Sequence, residues 1–242
     1  MSLCAHTFPL QVNTYELQAI YMGRRILVQR RGKGTQNFRS PKHKKKGAVK
    51  HIPITGDEVK EATLIDFIHE GGRGTPIGRL DYGNGLRVNW LPPEGVFIGD
   101  KFSIGTKTEL VIGNTMALKN IPEGSLIYNI EIQPRDGGKM VRAAGAAATV
   151  VTRSEKGVVV LLPSGKRKTF NQMSRATIGV VAGGGISTKP FMKAGARRYY
   201  ERTKPKTWPV VNGNVMNANS HPFGGGSKHR AGMSTTTSRN AP

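Results

Sequence analysis

The length of its apolar runs constrains this chain more than any other feature. From Val59 onward these runs are short and bounded by Gly, Pro, Asn or Asp, as at 63–68, 86–91, 96–98 and 110–112. Each has the length of a strand. The turn between the first two lies in TPIGRLDYGNG, where Gly83, Asn84 and Gly85 accept positive φ at low steric cost. Asn120-Ile121-Pro122-Glu123-Gly124 forms a second turn before SLIYNIEI, in which Leu126, Tyr128, Ile130 and Ile132 alternate with Ile127, Asn129 and Glu131. That period of two predicts a strand with one buried face. Runs 158–162 and 166–170 flank Pro163-Ser164-Gly165 as a hairpin, and 177–182 can close the same sheet.

The expected class is therefore mainly β, with several short strands and regular turns arguing for small barrels. The composition agrees, since 31 Gly and 14 Pro with only 7% aromatics suit short strands better than a helix bundle. No strand–helix alternation of an α/β enzyme is visible. The best helix candidate is 190–201, shortened by Gly195. The expected division is 1–21, an upstream extension before the Met22 start; 22–56, a basic N-terminal arm; 57–113 and 114–190, two β domains; and 191–242, a basic C-terminal tail. The arm and the end of the tail hold too few clustered apolar side chains to order alone and are expected to be extended.

Charge is sorted along the same boundaries. The chain carries 37 Lys plus Arg against 15 Asp plus Glu, a net +22. Residues 23–50 hold eleven cations and no carboxylate, and 139–242 hold eighteen cations with only Glu155 and Glu201. Between them, 57–136 has twelve carboxylates against eight cations. Such flanking positive charge points to a polyanion, and tails without a core point to nucleic acid. A membrane span is excluded, because no run approaches the roughly 18 apolar residues it needs. The single Cys4 excludes a disulfide framework and a cysteine zinc cluster. A cytoplasmic location is the default.

Catalysis and metal binding find no support in the motifs. Gly71-Gly72-Arg73-Gly74-Thr75-Pro76-Ile77-Gly78 is interrupted by Pro76 and reads as a turn, not a dinucleotide site. His221, in His221-Pro222-Phe223-Gly224-Gly225-Gly226-Ser227-Lys228-His229, has no acid nearby in sequence, and with His229 alone it makes an incomplete metal shell. Contact with folded RNA is its expected use. His43 and His51 are expected to add to the basic arm, and His69, beside a strand end, to be structural. No enzyme activity, catalytic residue, metal ligand or cofactor is expected, and Mg2+ would enter only as an RNA counter-ion.

The runs GRRILVQRRGKGTQNFRSPKHKKKG, IGNTMALKNIPEGSLIYNIEIQPRDGGKMVRAAG, LPSGKRKTF with SRATIGVV, and TWPVVNGNVMNANSHPFGGG resemble the universal large-subunit ribosomal protein L-two family, in its archaeal or eukaryotic form. The resemblance covers about 23–232. It implies an OB-fold-like barrel at 57–113, an SH3-like barrel at 114–190, and extended ends threaded into large-subunit rRNA near the peptidyl transferase region. It also implies support of subunit association and tRNA binding, neighbouring ribosomal proteins as partners, and contact with the small subunit across an intersubunit bridge. No membrane and no homo-oligomer are expected, and the location would be the cytoplasmic ribosome. RNA contact is implied for Arg24, Arg30, Arg31, Lys33, Arg39, Arg142, Arg175, Arg197, Arg198, Lys204, Lys206 and His221. The charge pattern adds Arg25, Lys42, Lys44, Lys45 and Lys46 in the arm and Arg202 and Lys228 in the tail. Where relatives carry an acid before the loop histidine and arginines after Trp-Pro, this chain has Ser220, Val210 and Asn212. A general nucleic-acid chaperone or architectural DNA-binding protein using the same tails is the alternative.

Overall fold

The computed structural model describes residues 25–54, 58–83, 85–221 and 223–226. The expectation of an upstream extension at 1–21 lies outside these residues, as do the site residues Arg24 and Lys228. The chain divides into two compact units, one spanning Pro41–Lys204 and one built from the described residues up to Ser40 and from Pro205 onward.

In the Pro41–Lys204 unit the mainly β class is realised as one sheet of ten strands among the described residues. They are β1 (Lys60–Ile68), β2 (Ile77–Asp81), β3 (Arg87–Trp90), β4 (Lys101–Ile104), β5 (Thr115–Ala117), β6 (Leu126–Tyr128), β7 (Ala148–Ser154), β8 (Gly157–Leu161), β9 (Arg167–Phe170) and β10 (Arg175–Ile178). Their order is β3-β2-β1-β4-β5-β10-β6-β7-β8-β9. All pairings are antiparallel except a single parallel bridge between Ile104 and Thr115, which joins the β1–β4 group to the β5–β10 group. Ala62, Leu64, Leu80, Trp90 and Phe102 pack together under the first group. Met116, Leu118, Ile127, Val150, Val160 and Phe170 centre the larger cluster under the second. Gly78 in β2 lets the strand pack closely on its neighbours, since a Cβ there would sit 2.9 Å from Leu64 Cδ1 and 3.2 Å from the Trp90 ring.

The 158–170 hairpin forms as expected, with Leu161 paired to Arg167 and Val158 to Phe170 around the Pro163-Ser164-Gly165 turn. Several expectations need correction. The segment TPIGRLDYGNG is more than a turn, since 77–81 within it is β2, paired along β1. Residues 96–98 are not a strand: Gly95 and Gly99 bracket them at φ +82° and +99°, and the Phe97 N–H donates to the Asp100 carboxylate at 2.8 Å. Residues 110–112 form a turn for a similar reason, with Gly113 at φ +96° and Asn114 N–H donating to the Val111 carbonyl. Strands β4, β5 and β7 were not expected.

The largest departure is at 126–132. The alternation there predicts one buried and one solvated face, yet β6 ends at Tyr128, Asn129 turns the chain at φ +50°, and everything from Ile127 to Glu131 is buried. The arm also departs from an extended chain. Leu27–Arg31 forms a short helix, α1, that ends at Gly32, while two 3-10 turns cover Gln36–Phe38 and Lys42–Lys44. None of these turns buries a residue, but from Val49 the chain enters the core. Toward the C-terminal end lie α2 (Gly185–Thr188) and α3 (Ala194–Thr203), the latter starting four residues later and ending two residues later than expected.

Candidate nucleic-acid interface

A buried polar frame underlies the surface of the Pro41–Lys204 unit. Glu131 is fully buried, and its carboxylate accepts from the Arg175 guanidinium at 2.7 Å (Nη2 to Oε1) and 3.4 Å (Nε to Oε2). The same carboxylate accepts the backbone N–H groups of Arg135, Gly137 and Arg175. Arg175 Nη1 donates to the Ile52 carbonyl at 2.8 Å, so one side chain ties β10, the segment after β6 and the end of the arm together. Arg142 acts in parallel, donating to the carbonyls of Gly138 (3.0 Å) and Val49 (2.8 Å). Burial is the main reason its pKa is lowered, with Arg73 adding to that and Glu70 opposing it.

His51 sits inside this frame and does not add to a basic surface. Its Nε2–H donates to the Asn129 carbonyl at 2.8 Å, and its backbone N–H donates to the Gly137 carbonyl at 3.0 Å. Burial pushes its pKa down to about 4, against the Asn129 bond and the Glu131 charge, while Arg175 and Arg142 help to depress it. The imidazole is neutral at pH 7. His69, expected to be structural, is exposed.

The proposed contact residues separate on burial. Arg175 is 6% exposed and fully engaged, so it belongs to the frame and cannot reach an external phosphate. Arg142 is half-buried, with two of its nitrogens directed at backbone carbonyls. Arg25, Arg30, Arg31, Lys33, Arg39, Lys42, Lys44, Lys45 and Lys46 are all exposed. Arg31 Nη2 donates to Thr207 Oγ1 at 3.3 Å, linking arm to tail within their own unit. Lys206 is exposed in the same unit.

On α3, Arg197, Arg198 and Arg202 are exposed, and Arg198 and Arg202 stand one turn apart on a common face. Tyr199, next to Arg198 in sequence, is 71% exposed. Lys204 differs from its neighbours because its ammonium lies over the Tyr200 ring, 4.0 Å from the centroid, and donates to the Tyr200 hydroxyl. Phe191 packs on that ring at 5.2 Å. An exposed tyrosine among arginines is a surface that can stack a base while the cations hold phosphates.

The His221 loop is internally organised. His221 Nδ1 accepts the Phe223 N–H at 3.1 Å, and the two rings lie 5.0 Å apart. With Nδ1 an acceptor, the neutral ring carries its proton on Nε2, which makes that nitrogen the ring's donor. Gly224 N–H donates to the His221 carbonyl, and Gly225 N–H to that of Met216. Ser220 turns its hydroxyl to Asn219 Oδ1, and no carboxylate contacts His221 among the described residues.

Sequence reasoning missed the frame. A signal for it existed in Ile130-Glu131-Ile132, a carboxylate set inside an apolar run.

The comparisons bear on the same residues. The family model "Ribosomal Proteins L2, C-terminal domain" matches residues 111–242. The chain is 48% identical over 221 residues to the large ribosomal subunit protein uL2 of Korarchaeum cryptofilum, covering 91% of this chain and 90% of that protein. The uL2 of Methanococcus aeolicus is 48% identical over 90% of this chain and 92% of its own length. That of Haloarcula marismortui is 44% identical over 91% and 92%. With over nine-tenths of its length aligned and the exposed cationic surface in place, the chain belongs to the L2, or uL2, family of large ribosomal subunit proteins.

Proposed function

We propose that this protein is a structural constituent of the large ribosomal subunit, located in the ribosome, and that it binds large-subunit rRNA near the peptidyl transferase region. In that position it supports subunit association and tRNA binding, touches neighbouring ribosomal proteins, and meets the small subunit across a bridge. The observation that carries this reading is the sorting of cations: those of the frame are held by buried acceptors, while those of the arm face outward, as do the α3 arginines, one of them next in sequence to the exposed Tyr199.

The mechanism is a division of labour. The sheet and its Glu131–Arg175 frame hold a fixed shape, so binding loses little to reorganisation. The outward cations neutralise phosphates where RNA segments pack closely, and specificity comes from the tertiary shape of the RNA. The chain's part is structural, and peptidyl transfer belongs to the RNA.

Co-sedimentation tests the proposal. The native protein should remain with the large subunit through a moderate-salt wash, and its appearance in the soluble pool would overturn it. Competition between folded rRNA and random duplex DNA separates this function from that of a general chaperone or architectural DNA binder, for which the two affinities would be equal.

A further inference from the structure

We infer that the loop spanning residues 131–139 is a pre-formed RNA-reading tip, with Arg135 as the contact at its apex and Asp136 as the residue that positions it. The inference rests on the RNA-binding reading above and extends it to residues outside the basic arm and tail.

Acids and bases are separated across this loop. The Glu131 carboxylate points inward and accepts the backbone N–H groups of Arg135 at 3.1 Å and Gly137 at 3.3 Å. The Asp136 carboxylate accepts those of Ile132, Gln133 and Gly138, each at 3.2 Å. Two carboxylates thus hold five backbone donors of a nine-residue segment, a dense set of charge-assisted bonds. The three bonds to backbone N–H and the nearby Lys139 ammonium at 3.4 Å keep the Asp136 carboxyl below its usual pKa, although burial pushes the other way.

The bases face outward. Arg135 is exposed, and among the described residues no hydrogen bond or ion pair holds its guanidinium. Lys139 is exposed and pairs with Asp136 at 3.4 Å. The Lys50 side chain lies along Gly137, where an added Cβ would be 3.0 Å from Lys50 Cβ. Arg135 itself stands at φ +69°, a conformation costly for a non-glycine residue and maintained here by the bonds around it. Holding an arginine in that conformation on a cross-linked loop fixes the point and direction from which its side chain leaves the backbone, so less freedom is lost when the fork meets RNA. The loop thus carries an exposed cation, Arg135, unpaired among the described residues, together with Lys139 and the packed Lys50 stem, while both carboxylates are occupied by backbone donors, and so fits the sugar–phosphate edge of a folded RNA.

The test uses the full chain and two probes, in-vitro-folded archaeal large-subunit rRNA and a random-sequence RNA duplex, by filter binding over a range of KCl. Arg135→Asn removes the charge yet tolerates positive φ. It should weaken rRNA binding about tenfold, the effect of one well-placed contact, and change duplex binding far less. Asp136→Asn is the sharper probe because it raises the net charge by one. If only charge matters, it tightens both complexes; if Asp136 positions the tip, rRNA binding weakens while duplex binding does not. Circular dichroism confirms that both variants are folded. Wild-type rRNA affinity in Arg135→Asn, or rRNA binding in Asp136→Asn as tight as wild type, overturns the inference alone. Equal affinity of the wild-type chain for both probes overturns the ribosomal reading together with it.

Discussion

Replacing Arg175 by Met separates the two roles that the sequence and the structure assign to it. The change removes the 2.7 Å and 3.4 Å bonds to Glu131 and the 2.8 Å bond to the Ile52 carbonyl. Glu131 is left buried, with three backbone N–H donors but no cation. Breaking a buried pair from one side costs about 3–5 kcal/mol. The surviving N–H donors place the expected loss near the lower end, about 3 kcal/mol. With a urea m-value of about 2 kcal/mol/M, the unfolding midpoint of the full chain, followed by far-UV circular dichroism, should fall by roughly 1.5 M. Arg175→Lys keeps the charge without the fork and should lose about half as much. Where the Met variant is folded, its affinity for a random RNA duplex should equal that of wild type, because the guanidinium never reaches the surface, and any loss should be confined to folded rRNA through the Glu131-anchored turn. A midpoint unchanged within about 0.5 M, or a folded variant with weakened duplex binding, refutes the reasoning.

Acid should weaken the fold through His51. Its pKa is about 4 folded against 6.5 unfolded, so between those values the unfolded chain binds the extra proton. Stability is fully present above pH 6.5 and falls by about 3 kcal/mol as the pH drops toward 4; His51→Gln should flatten this segment of a urea-midpoint against pH plot. Gly138→Ala should destabilise by about 2 kcal/mol in the same assay, since Gly138 stands at φ +82° and its Cβ would fall 2.5 Å from Asn129 Oδ1. Replacing Arg30, Lys33 and Arg39 together by Ala should leave the midpoint unchanged, because all three are exposed. It should lower the steepness of log K against log salt by about 2–3 in rRNA binding. Arg198→Ala and Arg202→Ala should each weaken rRNA binding by about threefold to tenfold with little loss of stability, as measured by filter binding and urea unfolding.

What the sequence made legible was local. The 158–170 hairpin is written in adjacent residues, a β-rich run on each side of Pro163-Ser164-Gly165, and it folds that way. The α3 helix is legible for the same reason, its ends shifting only because Pro190 stays outside and Lys193 is extended. Segments 96–98 and 110–112 failed because their apolar content is strand-like while flanking glycines at positive φ curl the backbone. Strand β5 is only three residues long and is held by distant partners, with Thr115 Oγ1 2.9 Å from Thr177 Oγ1 across to β10. No local pattern encodes that pairing.

The candidate site divides along the same line. Exposure of the arm is readable from eleven cations without a carboxylate, since nothing nearby could bury them. Arg175 carries the same formal charge, but its partner Glu131 is 44 residues away and its second acceptor, Ile52, 123 away. A count of cations therefore overstates the charge available to RNA, by Arg175 entirely and by Arg142 in part. The misread alternation at 126–132 has the same origin. Glu131 looked like a solvated position because polar residues on a strand ordinarily face water, whereas here it faces the one arginine able to make burial tolerable. The pairing runs both ways: without Glu131, Arg175 would be an unpaired buried charge, and without Arg175 the turn carrying Arg135 would lose its anchor in β10. The interior of the fold thus sets where the outward cations stand, and the basic surface depends on a carboxylate that never meets solvent.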